Sequence, residues 1–321
     1  MAASHTRSGD DTVLDLNVAL QCPRCGCDVA GLDCRVCAFQ MRIAGDFVHA
    51  IPPERMAHYA KFMEDYARIR AAEGRGSERE EFYLGLPYVD STGKNSEQWH
   101  IRSLTYDHLL KQVLNAIPPE EDKKILDLGA GNGWMSYRLA LAGYRPTAVD
   151  LLINNEDGLG AAAHYRGHLR EFFPRFQAEI ARLPFRNAQF DVVIFNASFH
   201  YSEDYEVTLR EAFRCAKEGG MVIISDTPWY SCELSGSQMV AERRAEFLRR
   251  YGTASNSIKS IQYLTDARLQ ALEKQLSIKW TLDSPHYGFK WAMRPLMAKL
   301  RNRREPSRFR IYSARKSARD S

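Results

Sequence analysis

Two sets of side chains are spaced for chemistry. Cys22 and Cys25 form one C-x-x-C pair and Cys34 and Cys37 another, with eight residues between the pairs. Each pair can grip a metal from a tight turn, and four thiolates in a tetrahedron suit zinc. Four cysteines close the coordination sphere, so the zinc expected here is structural, and Cys27 is a spare or alternative ligand. The second set is acidic. Asp127 stands two residues before Gly129-Ala130-Gly131-Asn132-Gly133, and Asp150 follows nineteen residues after Gly131. The glycines let the chain turn sharply and let a ligand approach the backbone. A helix beginning there offers free N–H groups to an anion. Asp150 can accept two hydroxyl hydrogen bonds from a ribose.

The elements that must hold these groups are legible around them. Ile125 to Leu128 is a short apolar run. Trp134 to Ala142 carries Met135 and Leu139 at i, i+4 spacing, with Gly143 at the C-cap position. Tyr144 to Val149 is a second strand-like run that ends on Asp150. Strand, glycine turn, helix, strand and terminal acid make a βαβ nucleotide-binding unit. The spacing is G-x-G-x-G rather than the G-x-G-x-x-G that suits a pyrophosphate. Asp127, aimed at the ligand mouth, repels phosphate but favours a cation such as the α-ammonium of S-adenosylmethionine.

This stretch resembles motif I and the acidic second-strand end of class I S-adenosylmethionine-dependent methyltransferases, with a type 11-like core. The resemblance runs over roughly residues 122–315 apart from an insert. It implies an α/β fold, a Rossmann-like sheet of seven mostly parallel strands whose last hairpin is antiparallel. It implies that Asp127, Gly129, Ala130, Gly131, Gly133, Asp150 and Leu151 hold the cofactor. The segment Ala178 to Phe185 is similar to the family segment in which an acid stands four residues before Leu-Pro-Phe. By that match Glu179 faces the adenine amino group and the Ile180 backbone N–H lies near the ring.

Phe190 to Phe195 reads as a buried strand, and ligands in open α/β sheets sit beyond strand carboxyl ends. Asn196, His200 and Tyr201 therefore stand on the catalytic rim. Asn196 is assigned to the cofactor, His200 and Tyr201 to catalysis. His200 is the best-placed general base because histidine titrates near neutral pH. Tyr201 and Tyr230 are as suited to shaping the pocket as to reacting. The segment before the first core strand often covers the cofactor's methionine end in this family, which makes Trp99, His100, Arg102 and Tyr106 lid candidates.

The expected organisation is a flexible start (1–18), a zinc ribbon (19–51), a helical lid or linker (52–118), the methyltransferase core (119–230), an inserted cap (231–275), the end of the core sheet (276–315) and a basic tail (316–321). Met41 to Ile51 is expected to complete the ribbon. Helices are expected over 54–72 and 96–116, the latter closed by Pro118-Pro119, and over 237–250 and 265–276 in the cap. Residues 82–90 read as loop or extended. His286, Tyr287, Trp291 and Met297 stand in a stretch suited to closing the pocket.

The chain has 321 residues, 45% hydrophobic and 26% charged, ordinary for a globular protein with a real core. No apolar run approaches the 18 residues of a membrane span, and the N-terminus has no apolar signal region. A cytoplasmic location without membrane contact is the expectation. Net charge is +4, with a basic C-terminal end best read as a solvated tail and helix face. Five of seven cysteines fall between Cys22 and Cys37, a clustering that favours metal over disulfide.

The activity implied is methyl transfer by in-line displacement to a small organic acceptor, because an enclosed cap suits such an acceptor better than a folded RNA. The zinc ribbon ahead of the core also resembles bacterial large-subunit rRNA guanine-N1 methyltransferases, so an rRNA or tRNA base methyltransferase is the second reading. A non-catalytic protein that binds the cofactor, with the ribbon as a docking module, is the third.

Overall fold

The computed structural model describes residues 17–117 and 122–317. The expected flexible start, the Pro118-Pro119 break and the basic tail fall wholly or partly outside them. The core strands form where apolar residues run together. They are β3 (Lys124–Leu128), β4 (Arg145–Asp150), β5 (Arg175–Gln177), β6 (Phe190–Asn196) and β7 (Ala216–Ser225). These five are parallel, in the spatial order β5-β4-β3-β6-β7. β9 (Ile311–Arg315) joins β7 antiparallel, and β8 (Thr281–Asp283) closes that edge antiparallel to β9. The antiparallel final hairpin is as expected.

The strand count is not. The sheet has nine strands rather than seven. The additional pair is β1 (Arg42–Ala44) and β2 (Phe47–His49), the stretch expected to finish the zinc ribbon. It forms a hairpin, and β2 pairs in parallel with β5 through Val48–Phe176 and His49–Gln177. The pairing covers the backbone groups that β5 would otherwise leave bare at the sheet edge.

Side chains alternate across the sheet with the strand period of two. Leu126, Leu128, Val193 and Phe195 face one core, shared with Cys22, Cys34 and α5 (Tyr205–Cys215). Ile125, Val192 and Ile194 face the other, shared with α3 (Ser96–His108) and α4 (Trp134–Leu141). Asp127 falls on this second face by alternation, under α4.

The first long helix, α1 (Pro53–Ala72), matches its expected span. The helix expected over 96–116 is α for its first thirteen residues, then a π-turn (Leu109–Val113) and a 3₁₀ turn (Leu114–Ala116). Residues 82–90 are partly helical, because α2 (Glu80–Gly85) buries Phe82 and Tyr83. The stretch expected to form an inserted cap holds α6 (Glu233–Tyr251) and α7 (Asp266–Leu276), and two short helices follow, α8 (Phe289–Ala292) and α9 (Arg294–Leu300). The Gly219-Gly220 turn lies within β7, where the register to β6 shifts between Phe190 and Val192. Among the described residues no helix is long and apolar enough to cross a membrane.

Candidate active site

β3 delivers the chain into the glycine corner. Gly129, Gly131 and Gly133 have φ of +76°, +55° and +77°, a region costly to any residue with a Cβ. At Gly129 space is also closed, since a Cβ would lie 2.3 Å from Cβ of Ser198. Ser198 in turn donates to the Leu128 carbonyl, so the end of β3 and the loop after β6 are locked together.

The two carboxylates of the motif flank this corner. Asp127 is buried; its Oδ2 accepts from the Ser136 hydroxyl at 2.8 Å, and its Oδ1 has no partner among the described residues. Burial pushes its pKa from 3.8 up to about 7, opposed by the Ser136 hydrogen bond and aided by the charge of Asp150. Asp150 accepts from the Leu152 N–H and the Gly131 N–H, each at 2.8 Å. Burial lifts it to about 6, with those backbone donors pulling the other way. Both line a cavity of about 260 Å³ together with Gly129, Ala130 and Gly131. Leu151, Glu179, Ile180 and Asn196 line it as well. Gly133 starts α4 behind this wall, packed near Ala162.

Glu179 has partners the sequence did not disclose. Its carboxylate accepts from Arg55 Nε at 3.0 Å and Nη2 at 2.7 Å, and from the Tyr59 hydroxyl at 3.0 Å. With about four acceptor positions on a carboxylate, Glu179 is shared between α1 and the cavity. Arg55 and Tyr59 begin a stripe on α1 that continues through Phe62, Tyr66 and Arg70, all lining the cavity. The spacing of four, three, four and four residues keeps them on one helical face. Arg70 is paired with buried Asp157, another wall residue.

Of the four lid candidates, Trp99 and Arg102 line the cavity, with the Arg102 guanidinium 4.7 Å from the centre of the Trp99 ring. His100 is exposed. Tyr106 is buried in the core against Trp134, with ring centres 5.9 Å apart. The cover is therefore mostly α1, whose aromatic residues read in the sequence as an ordinary apolar face. Its signal was the arginine at each end of the stripe.

A second cavity, about 910 Å³, adjoins the first across Phe62, Tyr66, Arg70, Arg102, Ala197 and Tyr201. His200 lines this second space and not the first. Burial, with the charges of Arg243 and Arg102 behind it, pushes His200 down to about 3. That shift runs against the titration near neutrality expected of a general base and favours the neutral ring, whose Nδ1 has no partner among the described residues. Tyr201 stands at the boundary, its ring 5.5 Å from Tyr66 and 5.9 Å from Phe62. Ala197 and Asp226, at the ends of adjacent strands, both have positive φ, +54° and +51°. Such strain at non-glycine residues gathers at functional sites. Asp226 gave no signal in the sequence. Trp291 lines the second cavity, while Tyr287 bonds Thr105 at 2.9 Å. His286, Met297 and Tyr230 line neither cavity.

The four cysteines converge away from this site. The sulfurs of Cys22, Cys25, Cys34 and Cys37 lie within 4.8 Å of one another, with Cys22–Cys37 and Cys25–Cys34 at 3.5 Å. A tetrahedral zinc at the usual bond length of about 2.3 Å separates its sulfurs by about 3.8 Å, so the arrangement fits that ion. Cys27 is outside the group. The module is tied to the segment between β5 and β6 by the Gln21 N–H, which donates to the Pro184 carbonyl at 3.0 Å. It also reaches α1: Arg24 donates twice to Glu54, at 2.9 and 2.7 Å, one residue before Arg55.

Comparison with known proteins matches the same region. Residues 126–224 fit the family described as "Methyltransferase domain". A malonyl-[acyl-carrier protein] O-methyltransferase of Erwinia billingiae is 31% identical over 108 residues, 33% of this chain and 39% of that protein. A tRNA U34 carboxymethyltransferase of Ruthia magnifica is 24% identical over 157 residues, 44% of this chain and 41% of that protein. The chain thus spans well under half of either relative. Among solved structures, phosphoethanolamine N-methyltransferase 2 of Haemonchus contortus, in complex with S-adenosyl-L-methionine, superposes with a TM-score of 0.50. The overlap covers 74% of this chain and 60% of that one at 14% identity, a likeness of fold. Over residues 126–224, which hold the glycine corner and the central strands, the chain is similar to that methyltransferase-domain family.

Proposed function

We propose that the protein transfers a methyl group from S-adenosylmethionine to a small organic acceptor by in-line displacement. The observation that carries this reading is the pairing of cavities. A small one sits on the acidic glycine corner, and a larger one shares its wall at the carboxyl ends of β6 and β7. A protein that only bound the cofactor would have no use for the second.

The cofactor supplies a methyl group already activated on a sulfonium. The chain must bind, orient and keep water out. The bare Oδ1 of Asp127 fits an ammonium group. Asp150 fits the ribose hydroxyls, and the backbone of Gly129 to Gly133 lets the ligand lie close. Glu179 and Ile180 would border the adenine, with Asn196 and Leu151 on the adjoining wall. Phe62, Tyr66 and Tyr201 form an aromatic partition at the junction, where they exclude water from the path between donor and acceptor. A base with a pKa near 3 has little drive to take a proton at neutral pH. His200 is therefore assigned to hydrogen-bond and orient the acceptor, and Tyr201 to shape the path of the methyl. Cys22, Cys25, Cys34 and Cys37 would hold a structural zinc.

The test is consumption of methyl-labelled cofactor by the purified protein with a cell extract, with and without RNase, followed by size fractionation. Label in a low-mass product that survives RNase treatment supports the reading. Label only in RNase-sensitive material sinks the small acceptor, and no transfer sinks the activity.

A further inference from the structure

The larger cavity has a chemical bias that the methyl-donor site does not explain. Seven of its wall residues are basic and three are acidic. Two of the basic groups are consumed internally, Arg70 by Asp157 and Arg75 by Glu73. Lys94 and Arg244 stand exposed at the rim. Arg102, Arg243 and Arg294 are half-buried, and among the described residues none has a carboxylate within 4.0 Å. Their guanidinium groups rest instead on rings: Arg102 on Trp99, Arg243 on Phe247 at 5.8 Å, and Arg294 on Trp291 at 3.7 Å. Burial draws both Arg102 and Arg294 below the usual arginine range. Asp226 acts on Arg102, and Glu97 on Arg294, through charge at a distance, but neither forms an ion pair with it, and half-buried cations so placed are costly unless an anion arrives to pair with them.

The floor is different in kind. His200, Asp226 and Gln262 are 7%, 6% and 5% exposed. Each has a polar atom without a partner among the described residues, Nδ1, Oδ2 and Oε1 respectively, and all three residues line this cavity. Asp226 Oδ1 is already held by Thr105 at 2.8 Å, which fixes the carboxyl and leaves Oδ2 bare. Oδ2 and Oε1 are acceptors in need of N–H or O–H donors. The aromatic walls, Phe62, Phe247, Trp291 and Phe309, fit a flat body.

We propose that the acceptor is a small aromatic acid. Its carboxylate or phosphate would lie among Arg102, Arg243 and Arg294, and its hydroxyl or amino group would donate to the His200–Asp226–Gln262 floor beside Ala197 and Tyr201. The proposal rests on the second cavity being the acceptor site of a methyltransferase. It specifies the charge, shape and donor end of what enters. The size, within the range of ligand cavities, and the placing of the cations inside a concave, ring-lined space favour a small molecule over a polyanion.

Calorimetry on the full chain tests this with four probes, each titrated with and without saturating S-adenosylhomocysteine. The probes are 4-hydroxybenzoate, 4-hydroxyphenyl phosphate, 4-hydroxybenzamide and 4-hydroxybenzylamine. At least one acid should bind at least about tenfold more tightly than the amide, and the amine least. Which acid binds better tells carboxylate from phosphate. Arg243→Ala and Arg294→Ala should each weaken the acid about fivefold or more, while S-adenosylhomocysteine affinity stays within twofold and circular dichroism is unchanged. Equal binding of acid, amide and amine, or indifference to both substitutions, overturns the proposal. So does an RNA stem-loop that displaces the bound acid. Acid preference without any binding of S-adenosylhomocysteine would keep the anion site and refute the methyl-donor reading instead.

Discussion

Asp127 holds one oxygen on Ser136 and leaves the other bare, and this has a consequence in pH. Its folded pKa of about 7 lies above the ordinary 3.8. Between those values the folded protein keeps a proton that the unfolded chain has lost. The stabilisation is therefore full below pH 3.8 and disappears as pH rises through about 7. Asp150 adds the same sign with a midpoint near 6. A cationic ligand needs these groups ionised, so its affinity moves the other way. Titrations of S-adenosylhomocysteine from pH 8 to pH 5.5 should show weakening that approaches about tenfold per pH unit below the midpoint, while the unliganded melting temperature rises. Flat affinity would remove Asp127 from the ammonium site. Gly129→Ala tests the corner itself. Its Cβ would meet Ser198 at 2.3 Å in a backbone of φ +76°, and a loss of about 2–4 kcal/mol by chemical denaturation is expected, together with loss of cofactor binding. A change under about 0.5 kcal/mol would show that the corner yields.

At the scale of elements, α1 links the cysteine module to the site. Arg24 of the module grips Glu54, and Arg55 and Tyr59 grip Glu179 in the cavity wall. Elemental analysis should find about one zinc per chain. Removing it by chelation, or disabling it with Cys25→Ser, should loosen the start of α1 and weaken S-adenosylhomocysteine by about three- to tenfold, read by calorimetry and amide exchange in residues 53–60. Unchanged exchange in α1 after metal loss would mean that the module and the site are independent. Arg55→Ala should lower cofactor affinity without metal loss, because it leaves the buried Glu179 carboxylate without its main counter-charge. These links were hidden in the sequence for a physical reason. The β3–corner–α4–β4 unit is local, so its glycines, Asp127 and Asp150 could be read together. The stripe from Arg55 to Arg70 shows the same periodicity whether it faces a core or a cavity. The pairing of β2 with β5 spans more than a hundred residues of chain and leaves no local mark. Asp226 is a single carboxyl at a strand end, and only the fold brings it to the cavity that His200 lines.

At the scale of the whole molecule, the candidate site lies between the two closed edges of one sheet. The β1–β2 hairpin closes one edge, the β8–β9 hairpin closes the other, and both cavities lie at the carboxyl ends between them. In the basic C-terminal segment, expected to be a solvated tail and helix face, Lys290, Lys299, Arg301, Arg303, Arg308 and Arg315 are exposed, while three other arginines are engaged. Arg304 pairs with Glu242 of the cap, Arg310 lies 3.5 Å over Trp229, and Arg294 lines the larger cavity. This arrangement stands or falls with a cationic methyl donor at the glycine corner. Isothermal calorimetry of S-adenosylhomocysteine with the intact protein and with Asp150→Ala addresses it most directly. One ligand per chain should bind the intact protein, with at least a tenfold loss in the variant, about 1.4 kcal/mol or more. Absence of heat with the intact protein, or equal affinity in the two, would contradict it.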